Sequence, residues 1–297
     1  MEVRIGELAA LFTAFCWTVT ALAFETASRK VGSVAVNIIR LGMALILLSL
    51  FSWIRHGVPF PAGFSPHAWF WLAMSGIAGF LIGDLFLFKA FTVIGSRLSM
   101  LVMTLVPPIS ALIGWLLMGE VLQWIHILGM SMTMSGIGLV IFQKHSGKDI
   151  RVSKVPVKGL LFALGGAAGQ ATGLVLSKFG MGDYDAFSST QIRVMAGLFG
   201  FALMITFFRR WLSVKRASRH RKAMLLMLLG ATFGPFLGVS SSLIAVQNTA
   251  TGIASTIMAI TPILIIPPTL IFFGQTVSWK ELVGAVVSVG GVALFFI

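Results

Sequence analysis

Residues 79–120 are written a second time, in altered form and without a gap, as residues 234–275. The first copy reads GFLIGDLFLFKAFTVIGSRLSMLVMTLVPPISALIGWLLMGE and the second GPFLGVSSSLIAVQNTATGIASTIMAITPILIIPPTLIFFGQ. At an offset of 155 positions, Gly79 falls on Gly234, Gly83 on Gly238, Ala90 on Ala245, Pro107 on Pro262 and Gly119 on Gly274. The same offset carries Gly129 onto Gly284 and Gly136 onto Gly291, and an offset of 153 carries Arg40 onto Arg193. Small residues and prolines that recur at fixed places are the mark of packing contacts made twice, so the chain is a duplicated unit.

The unit is built for lipid. Hydrophobic residues make up 57% of the 297 and charged residues 10%, against about 25% charged in a soluble domain. A span needs about 20 apolar residues, and ten such runs fit: 8–24, 34–53, 69–92, 98–117, 121–142, 160–177, 187–208, 223–246, 252–273 and 277–297. The expected architecture is an all-α membrane protein of ten transmembrane helices in two inverted five-helix repeats. Residues 1–143 form the first repeat, 144–157 a basic linker and 158–297 the second. Five spans per repeat is odd, so the second copy enters the membrane upside down. The first run lacks a strongly basic start and carries polar residues, so it is read as a span rather than a cleaved leader.

A net charge of +13 would suggest nucleic acid in a soluble chain; here it belongs to loops that set orientation and meet anionic lipid, and no nucleic-acid partner is expected. One cysteine, Cys16, excludes an internal disulfide, and five histidines without ligand spacing predict neither metal nor cofactor. No nucleophile–base pair marks an enzyme.

Polar residues inside the spans are few, and a cavity between two inverted bundles would use them. Thr13, Trp17 and Thr20 share one face of the first span. Arg40 lies a third of the way into the second span, where a guanidinium turns inward or reaches back to an interface. Asp84 is the one acidic residue well inside any span. Arg40 and Lys89 are its candidate partners, and both a structural ion pair and a proton-coupling role stay open for it. Gln170, Arg193 and Gln247 complete the substrate-binding or translocation set in the second repeat. Pro107 and Pro262 are expected to kink the fourth and ninth spans. Gly79 and Gly83, with the zipper Gly165, Gly169 and Gly173, predict close helix approach. Three cations against one carboxylate favour a carboxylate or zwitterionic substrate over a lipophilic cation.

AFCW in the first span, the arginine of the second, LFKAFTVIGSRLSMLVMTLVPPISALIGWLLMGE across spans three and four, and the Gly-rich fifth span together resemble EamA-type members of the drug/metabolite transporter superfamily. The resemblance covers essentially the whole chain. It implies ten helices in inverted repeats, an inner-membrane location, and export of amino acids or related metabolites, as a monomer or homodimer. Drug export and flipping of lipid-linked substrates are the alternatives. The chain departs from the family pattern at Gln275, where glutamate matching Glu120 is usual. Orientation divides the two lines of reasoning. Three Lys and Arg lie on the amino-terminal side and seventeen on the other, which puts both termini outside, whereas the resemblance implies both inside.

Overall fold

The computed structural model describes residues 4–143, 156–264 and 279–296, and they are helical almost throughout. Helices α1 (Ile5–Val31) and α2 (Ser33–His56) reverse direction across the single residue Gly32, whose φ of 86° is open to glycine and strained for other side chains. Helix α3 (Pro66–Gly76) starts from a Ser65 cap that accepts the Ala68 N–H, with Pro66 in its first turn. A π-helical segment, Ile77–Gly83, continues into α4 (Asp84–Met103), and α5 (Val106–Met118) and α6 (Trp124–Gln143) finish the first half. The second half comprises α7 (Val157–Met181), α8 (Ala186–Phe207), the short α9 (Trp211–Ser218), α10 (Arg221–Ala231), a second π-helical segment (Thr232–Gly238), α11 (Val239–Asn248), α12 (Thr251–Met258), α13 (Thr261–Leu264) and α14 (Trp279–Ala293).

The offset read from the sequence recurs in the element boundaries. Pro66, Ile77, Asp84, Val106 and Trp124 begin elements in the first half, and Arg221, Thr232, Val239, Thr261 and Trp279, each 155 later, begin their counterparts. Six described stretches are long and apolar enough to cross a membrane (Ile5–Val31, Ser33–His56, Pro66–Ile94, Val157–Met181, Ala186–Phe207 and Arg221–Asn248), and Val106–Met118, Trp124–Leu139 and Leu282–Ala293 are shorter apolar helices.

Inversion is visible where α6 meets its own counterpart, α14. A methyl group placed on Gly129 would stand 2.8 Å from the Gly291 carbonyl oxygen, and one on Gly136 would stand 2.5 Å from that of Gly284. Numbers rise along one helix as they fall along the other, so the equivalent helices are antiparallel and exchange under a two-fold axis perpendicular to both. Thr133 and Ser288, equivalent residues, sit at the crossing, and each hydroxyl donates to the other's carbonyl, at 3.3 and 3.1 Å.

The first helix of each half packs into the other half. Gly169 and Gly173 of α7 lie against the first π-helical segment, where a methyl on either would come 2.7 and 2.9 Å from the Cα of Gly83 and of Gly79. On the opposite side α1 packs against Gly234 and Gly238 of the second segment. Only glycine lets backbones approach this closely.

Two expectations about the spans need correction. The loop expected between residues 92 and 98 is helical, because α4 runs on to Met103. Pro107 does not kink a continuous helix: the chain turns at Thr104 and Leu105, and Pro107 stands in the first turn of α5, where the missing N–H has no partner to lose. Pro262 occupies the same place in α13, after the turn at Ala259 and Ile260.

Candidate substrate site

Between the halves lies a cavity of about 190 Å³. Trp17, Thr20, Arg40, Asp84, Gln170 and Arg193 all line it, from α1, α2, α4, α7 and α8. The ends of the spans define two faces, an amino-terminal face and a basic face carrying the Arg- and Lys-rich loops. Trp17 is twelve residues from Ile5, about 18 Å in from the amino-terminal face. Phe91, another lining residue, is three short of Ile94, where the apolar stretch ends. The cavity therefore extends from mid-membrane toward the basic face.

Arg40 turns inward. One amino group of its guanidinium donates to Asp84 Oδ2, its Nε donates to Asn37 Oδ1 at 3.0 Å, and its charge sits 5.1 and 5.3 Å from the ring centres of Phe24 and Phe88. The other carboxylate oxygen of Asp84 accepts from Gln170 Nε2 at 2.7 Å. Both oxygens are engaged, and a pair with 6% and 8% exposed side chains is held across α2 and α4. Arg193 is different. It is 5% exposed, lies 5.2 Å from the Phe80 ring, and among the described residues its Nε and Nη1 have no hydrogen-bond partner. Arg193 also lines the cavity, and a guanidinium with unused donors there can receive an anion once it turns them into that space.

The remaining expected site residues stand elsewhere. Thr13 is buried beneath the cavity, its hydroxyl set between the carbonyls of Ala9 at 2.8 Å and Gly238 at 3.3 Å, so it fastens α1 to the second π-helical segment. Lys89 is exposed, with its ammonium 5.5 Å from the Phe162 ring, because a flexible stem near a span end carries its charge out of the bundle. Gln247 donates to the carbonyls of Gly182 at 2.7 Å and Tyr184 at 3.2 Å, closing the turn between α7 and α8.

Sequence reasoning missed a charged cluster on the amino-terminal face. Gly119, left-handed at φ 66°, ends α5 and turns Glu120 toward the other half. There its carboxylate accepts from the backbone N–H of Thr251 at 2.9 Å and from the Thr251 hydroxyl, capping α12, and pairs with Lys178 at 2.6 Å. Lys178 also donates to the Thr249 carbonyl at 2.7 Å. The one available signal was Glu120 after a helix-ending glycine; its partners are remote in sequence.

The model of the EamA-like transporter family matches residues 4–142 and again 157–297. The chain belongs to the EamA-like transporter family. It is therefore a transporter of the drug/metabolite transporter superfamily and a multi-pass membrane protein, not an enzyme. None of the curated proteins matches it. Among solved structures, one described only as the crystal structure of a protein is 18% identical, spans 98% of this EamA-like chain and 96% of its own, and superposes with a TM-score of 0.75, a likeness of fold.

Proposed function

We propose that this EamA-like protein is a secondary transporter that exports small carboxylate-bearing metabolites, amino acids and related zwitterions among them, by alternating access. The observation that carries the reading is Arg193, which lines a cavity shared by both halves and whose Nε and Nη1 have no hydrogen-bond partner among the described residues. A carboxylate matches the planar fork of a guanidinium, and the desolvated site makes that pairing stronger than it is in water. A lipophilic cation would meet two guanidiniums and one carboxylate that is already engaged. Rocking one half against the other about the α6–α14 crossing would expose the same cavity to either face.

The test is efflux from proteoliposomes loaded with a mixture of radiolabelled amino acids and organic acids. The wild type is expected to release at least one carboxylate compound. Arg193→Gln is expected to retain its fold by circular dichroism and lose that efflux. Equal efflux by the variant would contradict the reading. If Asp84 also carries a coupling proton, Asp84→Asn abolishes the pH dependence of efflux; an unchanged pH profile removes that role.

A further inference from the structure

This inference rests on the proposed function and narrows its substrate. We propose that the cavity selects a monocarboxylate with an apolar, ring-sized body and no ammonium group, in preference to an amino acid.

Charge comes first. Arg40 and Asp84 neutralise one another, and Gln170 takes the second carboxylate oxygen. Arg193 is the remaining charge on the cavity wall, so the lining carries one positive charge in excess among the described residues. A monoanion cancels it; a zwitterion brings its own cation beside two guanidiniums and leaves the excess in place.

An ammonium group would also need acceptors. Among the described residues Asp84 is the only carboxylate in the lining, and each of its oxygens already accepts one bond, from Arg40 and from Gln170. The hydroxyls of Ser242, Ser255 and Thr261 donate to carbonyls of their own helices or turns, at 2.7, 2.7 and 2.8 Å, so they offer only neutral lone pairs. Neutral acceptors bond a cation more weakly than a carboxylate does.

Most of the rest of the wall is apolar. Trp17, Phe24, Phe80, Phe88, Phe91 and Leu174 line it beside the charged residues. A cavity of about 150 Å³ holds benzene, so about 190 Å³ takes one ring and a short acid chain. The ring would lie among the aromatic side chains while the carboxylate reaches Arg193.

Three probes share one ring and differ only in charge: 3-phenylpropanoate, phenylalanine and phenethylamine. Each is titrated into the purified full-length protein, with thermal stabilisation and competition against labelled 3-phenylpropanoate as readouts; acetate and lactate serve as small polar carboxylates. The expected order has 3-phenylpropanoate tightest, phenylalanine weaker by about tenfold or more, and phenethylamine without effect. Arg193→Gln is expected to lose the 3-phenylpropanoate response, and Arg193→Lys to keep part of it. Phenylalanine binding as tightly as 3-phenylpropanoate, or any stabilisation by the amine, overturns the proposal, and both comparisons use the unaltered protein. If acetate or lactate binds through Arg193 while 3-phenylpropanoate does not, the narrowing to apolar bodies fails and the carboxylate-transporter reading stands. If no carboxylate binds through Arg193, both fail.

Discussion

Arg40 and Arg193 are counterparts in the duplicated unit, yet only Arg40 has a carboxylate, because the residue equivalent to Asp84 is Val239. Duplication supplied two guanidiniums, and divergence left one of them without a carboxylate of its own, so that both share Asp84. Two outcomes follow at this scale. Asp84→Asn leaves Arg40 buried and uncompensated, and thermal or chemical unfolding in detergent is expected to register a loss of about 3 kcal/mol. Val239→Asp gives Arg193 the partner that Arg40 already has, and ligand titration is expected to find anion binding abolished while the fold is retained. Arg40, Asp84 and Lys89 stood out in the sequence, since charges inside apolar runs are rare, but whether Arg40 turns inward and which cation meets Asp84 were left open. Which way Thr13, Lys89 and Gln247 face was not legible either, because a helix angle near a span end is set by neighbours that periodicity does not name.

Among the elements, glycines decide how near two helices come. Gly169 and Gly173 bring α7 onto the first π-helical segment, and Gly129, Gly136, Gly284 and Gly291 close the crossing of α6 with α14. Gly136→Val is expected to force these backbones apart and to cost about 1–3 kcal/mol. Gly138→Val, two residues on and on the other side of the helix with nothing within 4 Å of its added Cβ, is expected to be near neutral on the same thermal assay. The repeat, its register and these close approaches could be read from residue spacing alone. The π-helical segments could not, because one extra residue in a turn leaves an apolar run apolar. Nor could the place of the break in the fourth span, since Pro107 marks where a new helix begins rather than where an old one bends.

For the whole molecule, the two faces differ in their chemistry. On the amino-terminal face Glu120 joins Lys178 and the start of α12, tying the first half to the second. The equivalent positions on the basic face are Gln275 and Glu25, an amide and a carboxylate in place of a carboxylate and an ammonium, so the same ion pair has no counterpart there. Inverted repeats with identical sequences would have two states of equal energy related by the two-fold axis; under the proposed alternating access, this ion pair would favour the state closed at the amino-terminal face. The cavity reaching toward the basic face agrees with that bias. The most direct test of a cavity exposed in turn to the two faces is labelling of Thr20→Cys in a Cys16→Ala background. A membrane-impermeant maleimide is applied from each face, with and without Glu120→Gln. The account predicts labelling from the basic face alone when Glu120 is intact, and from both faces once the Glu120–Lys178 pair is broken. Labelling from neither face, or from the basic face alone in both proteins, would contradict it.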